Sequence, residues 1–446
     1  MKNILIPLAT FSFFSISCQS LASSETELMA AIEQQQKQLQ EIEKQLTELK
    51  VEKVNAQRAL TKQSFNSSEK NWQINSYGNV LYKSEEIFSN IQDVTPERRT
   101  STDLERAIVE FKYDFDSQWQ VELEIEYEHG GTGASLEYDG FEEFGEFETE
   151  IVEKLQVQYT ANEYFTVKIG QIFVPVGLGT DLHKPDQYFG TQRSWSEASL
   201  IPQVWNETGV NLVSKWNNFT AQTLITTGLN SEYFRTYNWV ATGHQKRFEK
   251  VNADDLAFTL RLDYGDVKAG KGIGASFYTG DTSGNRNNST KVSGDGNLTI
   301  IGLHGAYSFD NWEVRGQYLF GTLDDSLAIT EANKTTPGLQ PGNFAQLGSE
   351  ADSFFFEVGY NSQSLLNLSK PLYFYTTYEY ANPIKEVEEG GVATDRFNKK
   401  SVAFGVNYKP VENIVLKAQV SQQMYALDTL DDTSSFSLSM GYYFSI

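Results

Sequence analysis

The sequence predicts an all-β transmembrane barrel of 16 antiparallel strands, preceded by an N-terminal α-helical coiled coil. Three observations predict it: apolar and polar residues alternate along many short segments, the connections between these segments alternate between short and long, and aromatic residues are abundant. Aromatic residues make up 13% of the chain although its mean hydropathy is −0.43. This combination is typical of membrane barrels, whose strands are half polar and whose rims carry aromatic side chains.

The first segment, Met1 to Ala22, has the features of a secretory signal. Lys2 is the basic start, Ile4 to Ile16 is the apolar run, and Ser20 to Ala22 supplies the small residues of a cleavage site. The apolar run is too short to cross a bilayer as a helix. The only cysteine, Cys18, lies here, so we expect a mature protein without disulfides or cysteine metal ligands. A lipoprotein signal through Cys18 is the alternative interpretation.

Residues 23–62 have the heptad pattern of a coiled coil. Leucine and isoleucine dominate the two apolar positions: Ile32, Leu39, Leu46 and Leu60 fall at a, and Leu28, Ile42, Leu49 and Ala56 fall at d. A single helix would leave this seam in water, so the pattern predicts self-association, with a preference for trimers or tetramers. Residues 63–71 form a polar linker to the predicted barrel domain, residues 72–446.

The hairpin from Ala107 to Glu128 shows the strand pattern most clearly, because apolar residues occupy every second position. Such a period of two places one set of side chains on each face of a strand. Sixteen segments of this kind follow Trp72, and they are joined alternately by short turns and by mostly long polar loops. Short turns at one end and long loops at the other are typical of bacterial outer-membrane barrels. The chain ends on another alternating segment, Ser434 to Ile446.

In such a barrel the polar face of each strand lines the lumen. The predicted acidic pore-lining residues are Glu110, Asp114, Glu122, Glu124, Glu126, Glu128, Asp263 and Glu313, and Glu379 is expected to join them. The predicted basic ones are Lys112, Lys154, Lys168, Arg261, Arg315 and Lys417. Rings of carboxylates favour cations and rings of lysine or arginine favour anions. The sequence contains both, so it indicates no clear ion preference.

Three segments resemble the phosphate-selective porin O and P family of Gram-negative outer membranes. They are residues 167–177, residues 258–262 around Arg261, and residues 405–410 with the following 413–420. The resemblance spans roughly Trp72 to Ile446. It implies a trimer of sixteen-stranded channels, phosphate as a solute, and a third loop folded into the lumen. That loop would be Val174 to Glu207, with His183, Lys184, Asp186, Arg193 and Trp195 as constriction residues.

The sequence gives little support for nucleic-acid binding, metal binding or catalysis. A net charge of −23 argues against nucleic-acid binding, because phosphates require a basic surface. The four histidines, His129, His183, His244 and His304, have no ligand spacing, so we expect no metal site. No nucleophile elbow or phosphate-binding Gly-Lys loop is present, so we expect neither an enzyme nor a cofactor. The acidic run Glu137 to Glu153 is interpreted as a solvated loop, or alternatively as a divalent-cation bridge to lipopolysaccharide or a vestibule that attracts cations.

The expected function is therefore an outer-membrane porin in a Gram-negative bacterium. It would form a water-filled channel for passive diffusion of small hydrophilic solutes or ions, with anions such as phosphate among the candidates. The expected partners are outer-membrane lipid and lipopolysaccharide, two further copies of the chain, and peptidoglycan through the coiled coil. The alternative is a barrel that only anchors a tether or adhesin linking the outer membrane and the cell wall.

Overall fold

The computed structural model describes residue 37 and residues 71–90, 92–129, 150–245, 250–287, 290–334 and 346–446. The chain divides into two compact units, Met1–Lys70 and Asn71–Ile446. The predicted signal, coiled coil and linker lie outside the described residues except for Lys37 and Asn71, so they remain predictions. The acidic run lies outside them up to residue 149.

The second unit contains the sixteen predicted strands. They are β1 (Trp72–Ile87), β2 (Glu97–Asp114), β3 (Trp119–Glu128), β4 (Glu150–Thr160), β5 (Phe165–Phe173), β6 (Asn206–Trp216), β7 (Phe219–Thr227), β8 (Leu256–Asp266), β9 (Lys271–Gly280), β10 (Leu298–Phe309), β11 (Trp312–Leu323), β12 (Glu350–Asn361), β13 (Leu372–Glu386), β14 (Lys399–Val411), β15 (Ile414–Tyr425) and β16 (Thr433–Ser445).

Each strand pairs with its sequence neighbours, and β1 pairs with β16 to close the barrel. The closure extends to the last residue, because Ile74 and Ile446 exchange two backbone hydrogen bonds of 3.1 and 2.9 Å. A closed barrel satisfies the backbone polar groups of every strand, which is the condition for crossing lipid without helices. The predicted fold class is confirmed for the barrel.

The turns at one end of the barrel are mostly short. Two of them consist of residues 217–218 and 310–311, where Asn217 and Asp310 have φ values of 51° and 50°. Asparagine and aspartate tolerate this left-handed conformation, which tight hairpin turns require. The connection after β12 differs from the short turn expected at Ser362, because it spans residues 362–371.

The outer face of the barrel is apolar. Strand β8 shows the pattern: Leu256, Phe258, Leu260, Leu262 and Tyr264 are exposed, whereas Ala257, Thr259, Arg261 and Asp263 are buried. Exposed aromatic side chains cluster at the turn end of the strands, among them Trp72, Trp119, Phe165, Trp216, Phe219, Tyr264, Phe309, Trp312, Phe374 and Phe444. Such a girdle is typical of the level where a membrane barrel meets the lipid headgroups.

Part of the interior is filled by apolar side chains rather than by water. One buried cluster combines Val174, Val176, Leu200, Ile201 and Trp205 with inward residues of β8 to β13 and with residues of the loops after β7 and β11. The described helices are α1 (Trp195–Ala198), α2 (Ser326–Asn333) and three short 3-10 helices, Ser231–Tyr233, Ala241–Gly243 and Asp395–Phe397. This packing leaves the side of the lumen formed by β1 to β4 and β13 to β16 lined mainly by polar side chains.

Candidate functional site

Strands β2, β3 and β4 present a cluster of carboxylates and lysines to the lumen. Lys154 Nζ lies 2.7 Å from Glu122 Oε1, 2.6 Å from Glu124 Oε2 and 3.7 Å from Glu110 Oε1. Lys112 Nζ lies 2.7 Å from Glu110 Oε1 and 3.2 Å from Glu122 Oε1. The three glutamates have the mutual spacing of metal ligands, with ligand oxygens within 4.8 Å of one another. Because Lys154 contacts all three carboxylates, the positive charge that neutralises them is the ammonium group of this lysine.

Two β-bulges place additional charges in the lumen beside this cluster. In β2, Leu104 and Glu105 together oppose Val80 of β1, and in β4, Glu153 is an extra residue between the pairs made by Val152 and Lys154. A bulge of this kind shifts the alternation of the strand by one residue.

The bulges bring Arg106 next to two carboxylates. Its Nη2 atom lies 2.6 Å from Glu126 Oε1 and 3.6 Å from Glu153 Oε2, and all three side chains are only 1% exposed. A buried arginine with two buried carboxylates is stable only as a complete group, because each uncompensated charge is costly away from water.

The opposite wall carries cations that are also paired. Arg261 on β8 binds Asp263 Oδ2 through Nε at 2.8 Å, and Asp263 Oδ1 lies 2.7 Å from His304 Nε2. Arg315 on β11 lies 3.3 Å from Glu313 and 3.6 Å from Glu357. The charged residues of the two walls therefore form local networks within strands and across neighbouring strands.

The third loop, residues 174–205 (hereafter L3), lies inside the barrel, which is the placement that the resemblance implied. It is shorter than predicted, because β6 begins at Asn206 and Glu207 belongs to that strand. Its first part is held by β8, where Arg261 donates to Gly177 O at 3.0 Å and pairs with Asp181 at 2.7 Å. Burial alone would raise the pKa of Asp181, but Arg261 and Lys268 outweigh it and lower the pKa to about 2.

The middle of L3 lies beside the carboxylate cluster of β2 and β3, with His183 Nε2 3.9 Å from Glu124 Oε1. His183 packs between the rings of Tyr77 and Phe173, each 5.6 Å away, and its Nδ1 lies 2.9 Å from Thr180 O. Burial lowers the pKa of His183 to about 3, so the imidazole is neutral and Nδ1 donates to that carbonyl. Lys184 follows, with Nζ 5.3 Å from the Tyr77 ring and 4.7 Å from the Tyr443 ring.

The last part of L3 is held by strands on the far side of the lumen. Thr191 Oγ1 lies 2.7 Å from Ser437 Oγ on β16, and Trp195 Nε1 donates to Ser401 Oγ on β14 at 2.8 Å. Ser194 Oγ and the Ser196 amide both donate to Glu379 Oε2 on β13. Together with its contacts to β1, β3 and β8, these bonds make L3 a strap across the lumen.

Glu197, in helix α1 of L3, links the strap to β11. Its Oε2 atom accepts hydrogen bonds from Gln317 Nε2 at 2.6 Å and from the Gly179 amide at 3.1 Å. Burial raises the pKa of Glu197 to about 7, although the hydrogen bonds from Gln317 and Gly179 and the charge of Arg193 act to lower it.

We therefore expect the hold of L3 on the wall to weaken as the pH rises. The raised pKa means that the folded strap favours the protonated carboxyl, so its stabilisation is complete below the ordinary glutamate pKa and is lost as the pH passes about 7. The change amounts to up to about 3 kcal/mol. A spin label at Gln192→Cys should become more mobile between pH 5 and pH 8, and Glu197→Gln should abolish that pH dependence. Equal mobility at both pH values in the wild-type background would contradict this.

The predicted site residues divide into two groups. Glu110, Glu122, Glu124, Glu126, Lys154, Asp263, Arg261, Arg315, Lys417 and His183 are buried within the barrel, whereas Asp114, Glu128, Lys112, Lys168, Glu313, Lys184, Asp186 and Arg193 are half-buried. Sequence reasoning missed Arg106, Glu153, Asp181, Glu197, Glu357 and Phe189. For the first two a signal existed, because Glu105-Arg106 and Glu153-Lys154 each put two charges in succession on an alternating strand.

None of the helices in the described ranges is long and apolar enough to span a membrane.

Comparisons with known proteins show likeness at low sequence identity. No family model matches the chain. A protein of Aquifex aeolicus (strain VF5), described as uncharacterized, is 27% identical over 331 residues, which cover 72% of this chain and 71% of that protein.

The solved structures similar to this chain include channels. The outer-membrane channel DcaP of Acinetobacter baumannii has a TM-score of 0.49 at 11% identity, with 84% of this chain and 96% of that chain covered. An anion-selective porin from Comamonas acidovorans has a TM-score of 0.48 at 10% identity, with 84% and 100% covered. The closed barrel and its apolar outer face place this chain in the outer membrane of a Gram-negative bacterium.

Proposed function

We propose that this chain is a porin, a water-filled channel for the passive diffusion of small hydrophilic solutes, with a preference for anions such as phosphate. The observation that carries the proposal is L3, which crosses the lumen and is bonded to strands on both sides of it. A loop that only covered the barrel from outside would not need buried partners such as Arg261 and Lys417. A strap at this position narrows the path through the barrel.

The preference for anions follows from which charges reach water. The carboxylates of the acidic wall, Glu110, Glu122, Glu124, Glu126 and Glu153, are buried and bonded to cations. At the level of L3, by contrast, Lys168, Lys184, Arg193 and Lys399 are half-buried, and among the described residues none of them has a carboxylate within ion-pair distance. Cations that line a path and keep their charge free attract anions. Several half-buried carboxylates oppose this preference, namely Glu105, Asp114, Glu128, Asp186 and Glu313.

Planar-bilayer recordings test the proposal. The folded barrel should give stable ohmic steps, and its reversal potential in a KCl gradient should indicate preference for chloride. Lys184→Gln combined with Arg193→Gln should shift the reversal potential toward cations, because two free charges leave the path. Lys370→Gln, at an exposed turn, is a control for charge alone and should leave it unchanged. Cation preference of the wild-type channel would contradict the anion part.

The same recordings distinguish a channel from the alternative function, a barrel that only anchors a tether or adhesin. A correctly folded but electrically silent barrel would favour the structural tether or adhesin. The proposal assigns no catalytic activity to the chain. Membership of the phosphate-selective porin O and P family, the homotrimer, the coiled coil of residues 23–62, and contacts with lipopolysaccharide and peptidoglycan belong to the same proposal and rest on the sequence.

A further inference from the structure

Phe189, near the midpoint of L3, occupies a socket built from the barrel wall. Its ring stacks on Tyr375 with the centroids 5.5 Å apart and the planes at 16°. The guanidinium carbon of Arg315 lies 4.5 Å from its centroid. The floor of the socket is Gly359 on β12, where a β-carbon would collide with the Phe189 ring. The Phe189 side chain is buried, at 3% exposure, although it belongs to a loop.

The backbone around Phe189 is also held, by hydrogen bonds with side chains of the barrel wall. Its amide donates to Glu357 Oε2 at 3.3 Å, and Asn407 Nδ2 donates to its carbonyl at 3.0 Å. Lys417 Nζ donates to the carbonyls on either side, Tyr188 O at 2.7 Å and Gly190 O at 2.8 Å. Three successive carbonyls of L3 are thus bound by side chains of β14 and β15, which fixes this stretch in one register.

Position 359 requires glycine for a steric reason and not because of its backbone conformation. Position 359 lies within the regular pairing of β11, β12 and β13, opposite Glu313 and Tyr375. Glycine in the interior of a strand weakens it, and it commonly marks the close approach of another group. Here the group that approaches is the Phe189 ring.

We infer that Phe189 and Gly359 form a lock that fixes the position of L3, and that they are positioning residues for permeation. The inference deepens the proposed function and, for its electrical consequences, rests on it. The Phe189 ring covers the guanidinium of Arg315, which is paired with Glu313 and Glu357. Releasing the ring widens the path, so the single-channel conductance rises. A residue needed only for barrel stability would not change the conductance of barrels that still fold.

A mutant cycle tests the lock. Phe189→Ala removes the ring, and Gly359→Ala expels it, so each should raise the single-channel conductance by at least about twofold. The double variant should match Phe189→Ala alone, because the added methyl group then meets no ring. Gly305→Ala is the control for a glycine replaced within a strand, since its β-carbon would meet mainly the Ile273 side chain. Folded barrels, identified by their heat-dependent gel shift, must be compared throughout.

Loop position can also be measured without any current. Thr191 is 2% exposed and lies two residues beyond Phe189, so a Thr191→Cys side chain should react slowly with a membrane-impermeant maleimide. Phe189→Ala or Gly359→Ala should accelerate the labelling at least about tenfold, because labelling follows the opened fraction of L3. Unchanged labelling and unchanged conductance in both single variants overturn the lock. Accelerated labelling in a silent barrel supports the lock and overturns the channel.

Discussion

Lys154→Met is expected to lower the free energy of unfolding of the barrel by about 3–5 kcal/mol, the usual cost of leaving buried charges without their partner. Lys154 is the ammonium group shared by Glu110, Glu122 and Glu124, and methionine keeps the apolar stem while removing the charge. The three carboxylates would then repel one another inside the wall. Urea unfolding of the refolded barrel in detergent, followed by tryptophan fluorescence, measures the loss.

The neighbouring lysine is the matched control. The Lys112 side chain contacts two of the same glutamates but is 29% exposed, against 10% for Lys154, so water compensates part of its loss. Lys112→Met should therefore cost clearly less than Lys154→Met. Adding Glu122→Gln and Glu124→Gln to Lys154→Met should restore most of the stability. Equal losses for the two lysines would show that the cluster is solvated rather than buried.

Arg261→Met is expected to have an effect of similar size, about 3–5 kcal/mol, and in addition to free the first part of L3. The substitution leaves Asp181 and Asp263 without the guanidinium and removes the donor to Gly177 O. We expect a lower urea midpoint and larger fluctuations of the open-channel current, because the strap loses its attachment to β8.

Lys268 offers the comparison, since it binds the same Asp181 at 2.9 Å but its side chain is 63% exposed, against 0% for Arg261. An exposed ion pair contributes only about 0–1 kcal/mol. Lys268→Met should accordingly leave both the urea midpoint and the current noise close to those of the wild type. A large effect of Lys268→Met combined with a small effect of Arg261→Met would refute the attachment of L3 through β8.

The barrel itself could be predicted because its signal is local. In β8, each of the residues from Leu256 to Tyr264 takes the face that the period of two assigns to it. The ends of strands were less predictable, since several of them continue beyond the apolar belt: β1 reaches Ile87 and β13 reaches Glu386. There the outward side chains are no longer required to be apolar, so alternation disappears although the backbone pairing continues.

The candidate site was predictable only in part. Glu122 and Lys154 were both predicted to line the pore, but their distance of 2.7 Å depends on the register between β3 and β4. The prediction therefore listed charges without their partners, and it could not distinguish a free carboxylate from a neutralised one. Glu153 was missed because a bulge shifts the alternation there, whereas Arg106 lies on the same face as Glu110 and could have been predicted from the alternation.

The sequence by itself determined the number of strands, the face that side chains take where a strand alternates regularly, and the end at which the turns lie, because these depend on residues close together along the chain. Only the tertiary structure decided which charges are paired, where L3 lies and why position 359 is glycine. These features depend on contacts between residues far apart in sequence, such as Phe189 and Gly359. The registers and bulges that create such contacts arise from the packing of the whole barrel.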